Sequence, residues 1–280
     1  MNRLLVITAD DLGLTAGVCR AVHRAHVDGI VTATSLLAVG RAFDQAATML
    51  RATPTLGLGA HLALVGEDPP LLGAREIPTL VDARGAFPLS YRTVVARGVL
   101  GRIDPDDVRR ELSAQLDRVL GIGLPVTHLD THQHTHLWPT VARVVTELAR
   151  THGIGVVRLP ASRRRDGVGA GVAVLRGLLG RRLRRAGLAA TDDYDGLDHA
   201  GALDLARFER SVHALATRGR RTAELNAHPG EAGDGDLDRF AWGFRWPDEL
   251  ATLTSPHARE LVEAHGYTLG SFSDLAQVHP

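Results

Sequence analysis

The stretch THLDTHQHTHLWP, residues 127–139, joins a short β-type run to a helix that begins at a proline. Polar side chains recur at every second position of this stretch: His128, Asp130, His132, His134 and His136. Alternate residues of a strand share one face, so His128, Asp130 and His132 point the same way if the strand continues that far. Beyond residue 133 the chain must turn toward the helix, so the last two histidines need not follow. We therefore predict a strand that ends in a cluster of imidazole and carboxylate groups.

Such a cluster is typical of a divalent-metal site. Divalent cations take mixed nitrogen and carboxylate ligands, and one aspartate with two histidines leaves positions open for water and substrate. The alternative is a purely structural role, in which the histidines are hydrogen-bonded core residues. The sequence favours an open, catalytic site.

Strands and helices alternate outward from this stretch in both directions. Strands are predicted at residues 4–8, 32–39, 56–64, 126–130, 155–159 and 222–227, and helices at 15–28, 42–51, 105–120, 139–152, 203–217 and 256–265. This alternation predicts parallel strands with right-handed crossovers, closed into a single-domain β/α barrel over residues 1–280 that is TIM-barrel-like but incomplete. The Gly- and Pro-rich segment 66–103 is too long for an ordinary connection and is interpreted as a functional loop or lid. The strongly basic segment 162–185 is interpreted as a solvated helix face.

Acids and histidines follow several of the other predicted strands. Asp10 and Asp11 follow the first, His61 ends the third, and His228 follows the strand at 222–227. Ligands of parallel α/β folds bind at the carboxyl ends of the strands, so this distribution predicts an active site there. Two adjacent carboxylates repel each other unless a cation or hydrogen bonds compensate. They could instead cap the next helix, although Gly13 and Thr15 lie nearer to its start. Taken alone, His61 could be a core residue and His228 could order a turn.

The composition limits the classes of partner and chemistry. Lys+Arg and Asp+Glu number 32 each, so the net charge gives no case for nucleic acid or an anionic membrane as the main partner. All the basic residues are arginine, which excludes lysine Schiff-base chemistry. The one cysteine, Cys19, lies in an apolar helical pattern and is expected to be a packed thiol. With no signal peptide and no stretch apolar enough for a membrane span, the expected location is cytoplasmic.

The motifs ADDLGLTAG (9–17), GLGAHLAL (57–64) and THLDTHQHTHLWP, in this order, resemble the YdjC-like carbohydrate deacetylase family. That family includes chitooligosaccharide deacetylases and a hopanoid-biosynthesis-associated branch. NAHPG (226–230) and the C-terminal segment extend the resemblance over essentially the full length, apart from residues 163–201, where no correspondence is clear.

The resemblance implies a distorted parallel β/α barrel, one divalent metal ion (Mg²⁺ or Zn²⁺) and hydrolysis of an N-acetyl group from a sugar. The family's metal ligands correspond to Asp11, His61 and His132. Its catalytic base corresponds to Asp10, and the histidine of its HPG motif, placed near the site, to His228.

On this basis we expect Asp10 to accept a proton from the attacking water and His228 to donate one to the departing amine. Asp130 is expected to accept a hydrogen bond from a ring nitrogen of the cluster and so fix its tautomer. His134 and His136 are assigned to the surroundings of the ligands or to the rim of the site.

Other functions stay open at this point. A metal-dependent hydrolase could cleave another amide or a phosphoester, for which Arg158 is the one candidate phosphate-binding residue, or the chain could be a catalytically silent sugar- or lipid-binding protein. The expected partner is a small acetylated sugar or glycoconjugate, although aromatic residues for a sugar platform are few. The candidates are Phe87, Trp138, Trp242 and Trp246. A homodimer is also open, with the apolar loop 68–80 as a candidate interface.

Overall fold

A computed structural model describes residues 3–275; the two ends of the predicted domain, residues 1–2 and 276–280, lie outside the described residues. The strands are β1 (Arg3–Leu12), β2 (Ala33–Leu37), β3 (Gly57–Leu62), β4 (Val126–Thr131), β5 (Asp193–Asp195), β6 (Thr222–Ala227) and β7 (Tyr267–Leu269). They form one parallel sheet in the order β4-β3-β2-β1-β6-β5, with β7 paired to the first residues of β1. The sheet curls into an incomplete β/α barrel, which confirms the predicted fold class.

Helices connect the strands and cover the sheet. They are α1 (Ala16–Val27), α2 (Phe43–Ala52), α3 (Tyr91–Val99), α4 (Pro105–Leu120), α5 (Pro139–Thr151), α6 (Gly167–Ala186), α7 (Leu205–Arg218), α8 (Trp246–Leu253) and α9 (Pro256–Ala264). Between residues 3 and 275, four 3₁₀ segments lie at His132–Leu137, Leu197–His199, Gly235–Arg239 and Phe272–Asp274. Within residues 3–275, no helix has the length and apolar character needed to cross a lipid bilayer.

Local chemistry explains the best-predicted boundaries. The side chain of Thr15 accepts a hydrogen bond from Val18 N and begins α1, which leaves Asp10 and Asp11 free of a capping role. Asp104 caps α4 in the same way, with Pro105 in the first turn. Cys19 is buried as expected.

The predicted strand at 155–159 is wrong as a full strand. Only two isolated bridges form there, Leu129 with Val157 and Val156 with Ala189. Pairing cannot continue far, because Pro160 has no backbone N–H to donate. The residue that follows these bridges, Arg158, nevertheless reaches the carboxyl-terminal edge of the sheet.

The segment predicted to be irregular, 66–103, contains helix α3 and is otherwise tied to α4 by buried carboxylates. Asp107 accepts hydrogen bonds from the backbone N–H and the hydroxyl of Thr79, and Glu111 accepts from the N–H groups of Leu71 and Leu72. Ile77, in the loop proposed as a dimer interface, is fully buried. Leu80 is buried as well, so part of the loop's apolar surface serves the core, and the homodimer stays a prediction.

Candidate active site

The predicted site residues meet at the carboxyl-terminal edge of the sheet. Asp10 and Asp11 lie near the end of β1, His61 on β3 and Asp130 on β4. The other two predicted residues follow strands: His132 begins the 3₁₀ segment after β4, and His228 directly follows β6. Four separate stretches of sequence thus converge because parallel strands end on one side of the sheet.

The backbone at Asp11 is locally strained. Its φ is 62°, in the left-handed region that non-glycine residues seldom adopt, and the β1–β2 register shifts between Ala9 and Leu12. In a regular strand the side chains of Asp10 and Asp11 would point to opposite faces of the sheet. The irregularity instead lets both carboxylates line the same pocket, and strain of this kind is concentrated at functional sites.

Asp11, His61 and His132 form a compact buried group. Oδ1 of Asp11 lies 2.9 Å from His132 Nδ1 and 3.3 Å from His61 Nε2. The three candidate ligand atoms all lie within 4.8 Å of one another. Oδ2 of Asp11 is buried and has no hydrogen-bond partner among the described residues. A buried carboxylate oxygen without a partner is costly, and a divalent cation bound to this oxygen and to the two ring nitrogens would satisfy it. The residues present therefore fit a metal ion.

The electrostatics of this group also favour a cation. Although burial opposes it, the two neighbouring histidines hold the pKa of Asp11 well below its usual value. Burial likewise works against the charged form of His61, but Asp130 and Asp11 together raise its pKa to about 10. The carboxylates thus create a negative field strong enough to keep a positive charge in a buried position.

Asp130 orients His61. Its Oδ1 lies 2.8 Å from His61 Nδ1, and its Oδ2 accepts a hydrogen bond of 2.8 Å from the hydroxyl of Ser35. With the proton on Nδ1, the lone pair of Nε2 is directed toward Asp11, the arrangement in which carboxylates hold metal-binding histidines. Asp10, His61 and Asp130 form a second candidate group of ligands. However, both of its carboxylates are already ion-paired to an arginine, so the group that contains Asp11 suits a cation better.

That arginine is Arg158, which is fully enclosed and ion-paired to three carboxylates. Nη1 and Nη2 each donate to an oxygen of Asp10 at 2.7 Å, Nε donates to Glu224 Oε1 at 2.7 Å, and Nη1 also contacts Asp130. Arg158 does not line the pocket. The guanidinium therefore holds the carboxylates of the site and does not face the space open to a substrate.

Asp10 and His228 lie beside the candidate metal group. Asp10 Oδ2 also accepts a 2.8 Å hydrogen bond from Asn226 Nδ2, so its orientation is fixed from two sides. His228 Nε2 lies 4.0 Å from Asp10 Oδ2, and its Nδ1 lies 3.9 Å from Glu249 Oε2. Both residues line the pocket, so a carboxylate and an imidazole face the same space as the candidate ligands.

The other histidines of the central stretch have different surroundings. His136 is buried, and its ring nitrogens contact Thr131 Oγ1 (2.7 Å) and the backbone oxygen of Arg158 (3.0 Å). It therefore links the end of β4 to the backbone at Arg158. His134 lines the pocket, with Nε2 at 3.2 Å from the Tyr194 hydroxyl. His128 lies 3.2 Å from Ser35 Oγ, and burial lowers its pKa to about 3, so it is a neutral core residue.

The pocket above these residues has a volume of about 450 Å³, a polar floor and largely apolar walls. Its apolar wall residues include Val94, Val95, Leu137, Trp138, Val168, Val172, Leu175, Trp242 and Phe244. Of the aromatic residues predicted as sugar platforms, Trp138 and Trp242 line the pocket. Trp246 instead packs behind Trp242 in an aromatic cluster, and Phe87 is buried elsewhere.

Three residues that complete the site were not predicted. Glu224 and Asn226 lie four and two positions before His228, so the alternation of a strand could have revealed them. Tyr194, which donates a 2.6 Å hydrogen bond to Asn226 Oδ1, comes from the short strand β5, whose acidic sequence gives no signal of burial.

Known proteins resemble this chain in fold and in sequence. A crystal structure of a candidate cellobiose-phosphate cleavage protein from Enterococcus faecalis superposes with a TM-score of 0.81 at 24% identity, over 98% of this chain and 99% of that one. The chain is 27% identical over 273 residues to a carbohydrate deacetylase from Brevibacillus brevis, covering 97% of this chain and 99% of the relative. It is also 27% identical over 288 residues to a chitooligosaccharide deacetylase from Proteus mirabilis, covering 98% of this chain and all of the relative.

These similarities define a parallel half-barrel α/β protein with related sequences named as deacetylases. The sequence profile of the YdjC-like protein family matches residues 4–264. The chain belongs to this family.

Proposed function

We propose that the protein is a metal-dependent hydrolase that removes an N-acetyl group from an amino-sugar-containing substrate. One observation carries the proposal: a buried Asp–His–His group with an unpartnered carboxylate oxygen lies beside Asp10 and His228 on the floor of a pocket. Full-length relatives named as carbohydrate and chitooligosaccharide deacetylases support the choice of bond and substrate.

Asp11, His61 and His132 would hold the ion, which the family resemblance limits to Mg²⁺ or Zn²⁺. When bound there, a divalent ion supplies Lewis acidity toward water and the acetyl carbonyl oxygen. Asp130 keeps the His61 ring in the orientation and tautomer that this ligand role requires.

Asp10 accepts a proton from the water that attacks the acetyl carbon. Its Oδ1 receives one hydrogen bond, from Arg158 Nη2, which leaves a lone pair for that proton. Arg158 and Asn226 together prevent the carboxylate from rotating, so the accepting oxygen stays at a fixed position in the pocket.

His228 donates a proton to the amine nitrogen as the C–N bond breaks, because an amide anion is too basic to leave unaided. Its side chain is only 11% exposed, and its Nε2 lies 4.0 Å from Asp10 Oδ2. The carboxylate of Glu249 accepts a hydrogen bond from the backbone N–H of His228 and lies near its ring, which fixes the residue after β6.

The pocket walls bind the sugar. Trp138, Trp242 and Phe244 provide aromatic surface for the apolar face of a sugar ring. The predicted loop or lid at 66–103 contributes through α3, whose residues Tyr91 and Val94 form part of the wall.

The first experiment measures acetate released from N-acetylated chitooligosaccharides by metal-stripped protein, and again after zinc or magnesium is added. We expect acetate only with metal. Metal content is measured in parallel. If the protein binds metal but releases no acetate, the metal site is supported and the proposed substrate is refuted. Protein that binds no metal would overturn the whole proposal.

A pair of isosteric variants separates the two neighbouring aspartates. Asp10→Asn should retain metal and lose turnover by about 100-fold or more, the scale of general-base catalysis. Asp11→Asn should lose metal, and His257→Ala, at an exposed histidine on α9, should behave as wild type. Equal metal loss in both aspartate variants would refute the division of roles.

The phosphoester alternative depended on Arg158. Because that guanidinium is enclosed by carboxylates outside the pocket, the structure does not favour this alternative.

A further inference from the structure

Two segments that wall the pocket carry nearly all of the exposed large hydrophobic side chains. Eight such side chains are exposed among residues 3–275, and four of them lie in or next to α3: Leu89, Tyr91, Val99 and Leu100. Val99 and Leu100, at 72% and 62% exposure, end the helix in adjacent positions. Isolated exposed apolar residues are ordinary, but a concentration beside a pocket indicates an interaction surface.

Helix α6 contributes three more: Val168, Val174 and Leu178. Its first nine residues, GVGAGVAVL, contain no polar side chain, yet most of them are exposed to solvent. A helix of a soluble domain normally places such residues against the core and polar residues outside. The start of α6 therefore presents an apolar surface that no described part of the chain covers.

The same two segments are basic. Residues 83–103 and 167–191 together contain nine arginines and no aspartate or glutamate, in a chain whose formal net charge is zero. Arg97 and Arg176 donate to backbone oxygens of the chain, but the four arginines in the last turns of α6 are exposed: Arg181, Arg182, Arg184 and Arg185. The balanced total charge thus conceals a local excess of positive charge.

The apolar and basic residues continue along one face of α6. Val174, Leu178, Arg182 and Arg185 follow one another at spacings of four, four and three residues, which keeps them on one side of a helix. Both helices meet at the pocket, because Tyr91 of α3 and Val168 of α6 line it.

We propose that the exposed surfaces of α3 and α6 form one docking surface for an anionic lipid bilayer, with the mouth of the pocket at the edge of the contact. Apolar side chains enter the boundary between headgroups and acyl chains, while arginines bind the lipid phosphates, as in helices that lie in the membrane interface. A protein partner would not by itself require an excess of arginine. An anionic bilayer attracts both the apolar side chains and the arginines. The proposal is independent of the reaction catalysed in the pocket.

The test is co-sedimentation of the full chain with vesicles of phosphatidylcholine containing phosphatidylglycerol, compared with vesicles of phosphatidylcholine alone. We expect binding to the anionic vesicles that weakens as salt is added, because arginine–phosphate attraction is screened. Arg181→Glu should weaken it by at least about fivefold, the contribution of one basic residue near an anionic surface. Arg210→Glu, at an exposed arginine on α7, is the matched control and should change it little.

The apolar contribution needs its own variant. Val174→Asp with Leu178→Asp should reduce binding more than Val27→Asp, which alters an equally exposed valine at the end of α1. Thermal midpoints should be unchanged in both variants, since all three side chains are exposed. The proposal is overturned if anionic vesicles do not bind, or if the α6 variants behave like their controls. It is also overturned if light scattering shows a dimer that the α6 variants dissociate, because the surface would then be a contact between two copies.

Discussion

Three buried carboxylates depend on Arg158, and this makes it the residue whose loss should be most damaging. Asp10, Asp130 and Glu224 all lie within ion-pairing distance of its guanidinium, and all are fully buried. Removing one partner of a buried ion pair leaves uncompensated charge and costs about 3–5 kcal/mol. We expect Arg158→Gln to lower the free energy of unfolding by about this amount in urea titrations. Arg165→Gln, at an exposed arginine, should change it by less than about 0.5 kcal/mol; equal effects would refute the structural role.

Glu224 should make stability depend on pH. Burial, only partly offset by Arg158, raises its pKa from 4.5 to about 7, and its Oε2 has no hydrogen-bond partner among the described residues. A group whose folded pKa is raised stabilises the fold while it is protonated, and this contribution is lost as the pH rises through the folded pKa. Glu224→Gln keeps an oxygen to accept from Arg158 but does not titrate. Relative to wild type, its stability should therefore increase by about 3 kcal/mol between about pH 5 and about pH 8. Urea unfolding of both proteins at the two pH values measures this difference, and a constant difference would contradict it.

At the scale of elements, α3 is held over the pocket by a very close contact with Trp138. A Cβ placed on Gly98 would lie 2.2 Å from Trp138 Nε1 and 2.3 Å from Cε2, so no larger residue fits without movement. We expect Gly98→Ala to displace the indole or the helix, with a loss of about 1–3 kcal/mol in stability and a higher KM. Gly177→Ala, in α6 where a Cβ meets nothing within 4 Å, should be neutral or slightly stabilising. Similar behaviour of the two variants would show that the contact with Trp138 does not position α3.

Elements were predictable from sequence where their ends carry local chemistry. Helix α4 and strand β6 have the boundaries that their sequences predict, because Asp104 and Pro105 define the start of α4 and β6 is a clean β-type run. By contrast, β5 reads Asp-Tyr-Asp, and its buried acids are paired with arginines, among them Asp193 with Arg218. That pairing is a tertiary contact, so no local pattern could reveal the strand.

At the scale of the whole molecule, the candidate site could be predicted as a set of residues but not as a network. The rule that parallel strands end on one side was enough to bring Asp11, His61 and His132 together. The rule cannot say which carboxylates share an ion-pair partner. Arg158 could be predicted only as a residue at a strand end, because its three acidic partners come from distant strands. The net charge of the whole chain could not predict the charge of its surfaces either, since a total of zero concealed the arginine-rich surfaces of α3 and α6.

The candidate metal group joins β1, β3 and the turn after β4, so an ion bound there should stabilise the whole chain rather than one loop. A ligand at 100 times its dissociation constant adds about 2.7 kcal/mol to the free energy of unfolding. For a chain of 280 residues this corresponds to a rise of about 5 °C in Tm. Calorimetry of metal-stripped protein, before and after addition of zinc or magnesium, should show this rise. Asp11→Asn should abolish most of it, because the variant removes the charged ligand that links β1 to the histidines. A rise of the same size in Asp11→Asn would place the ion elsewhere in the molecule.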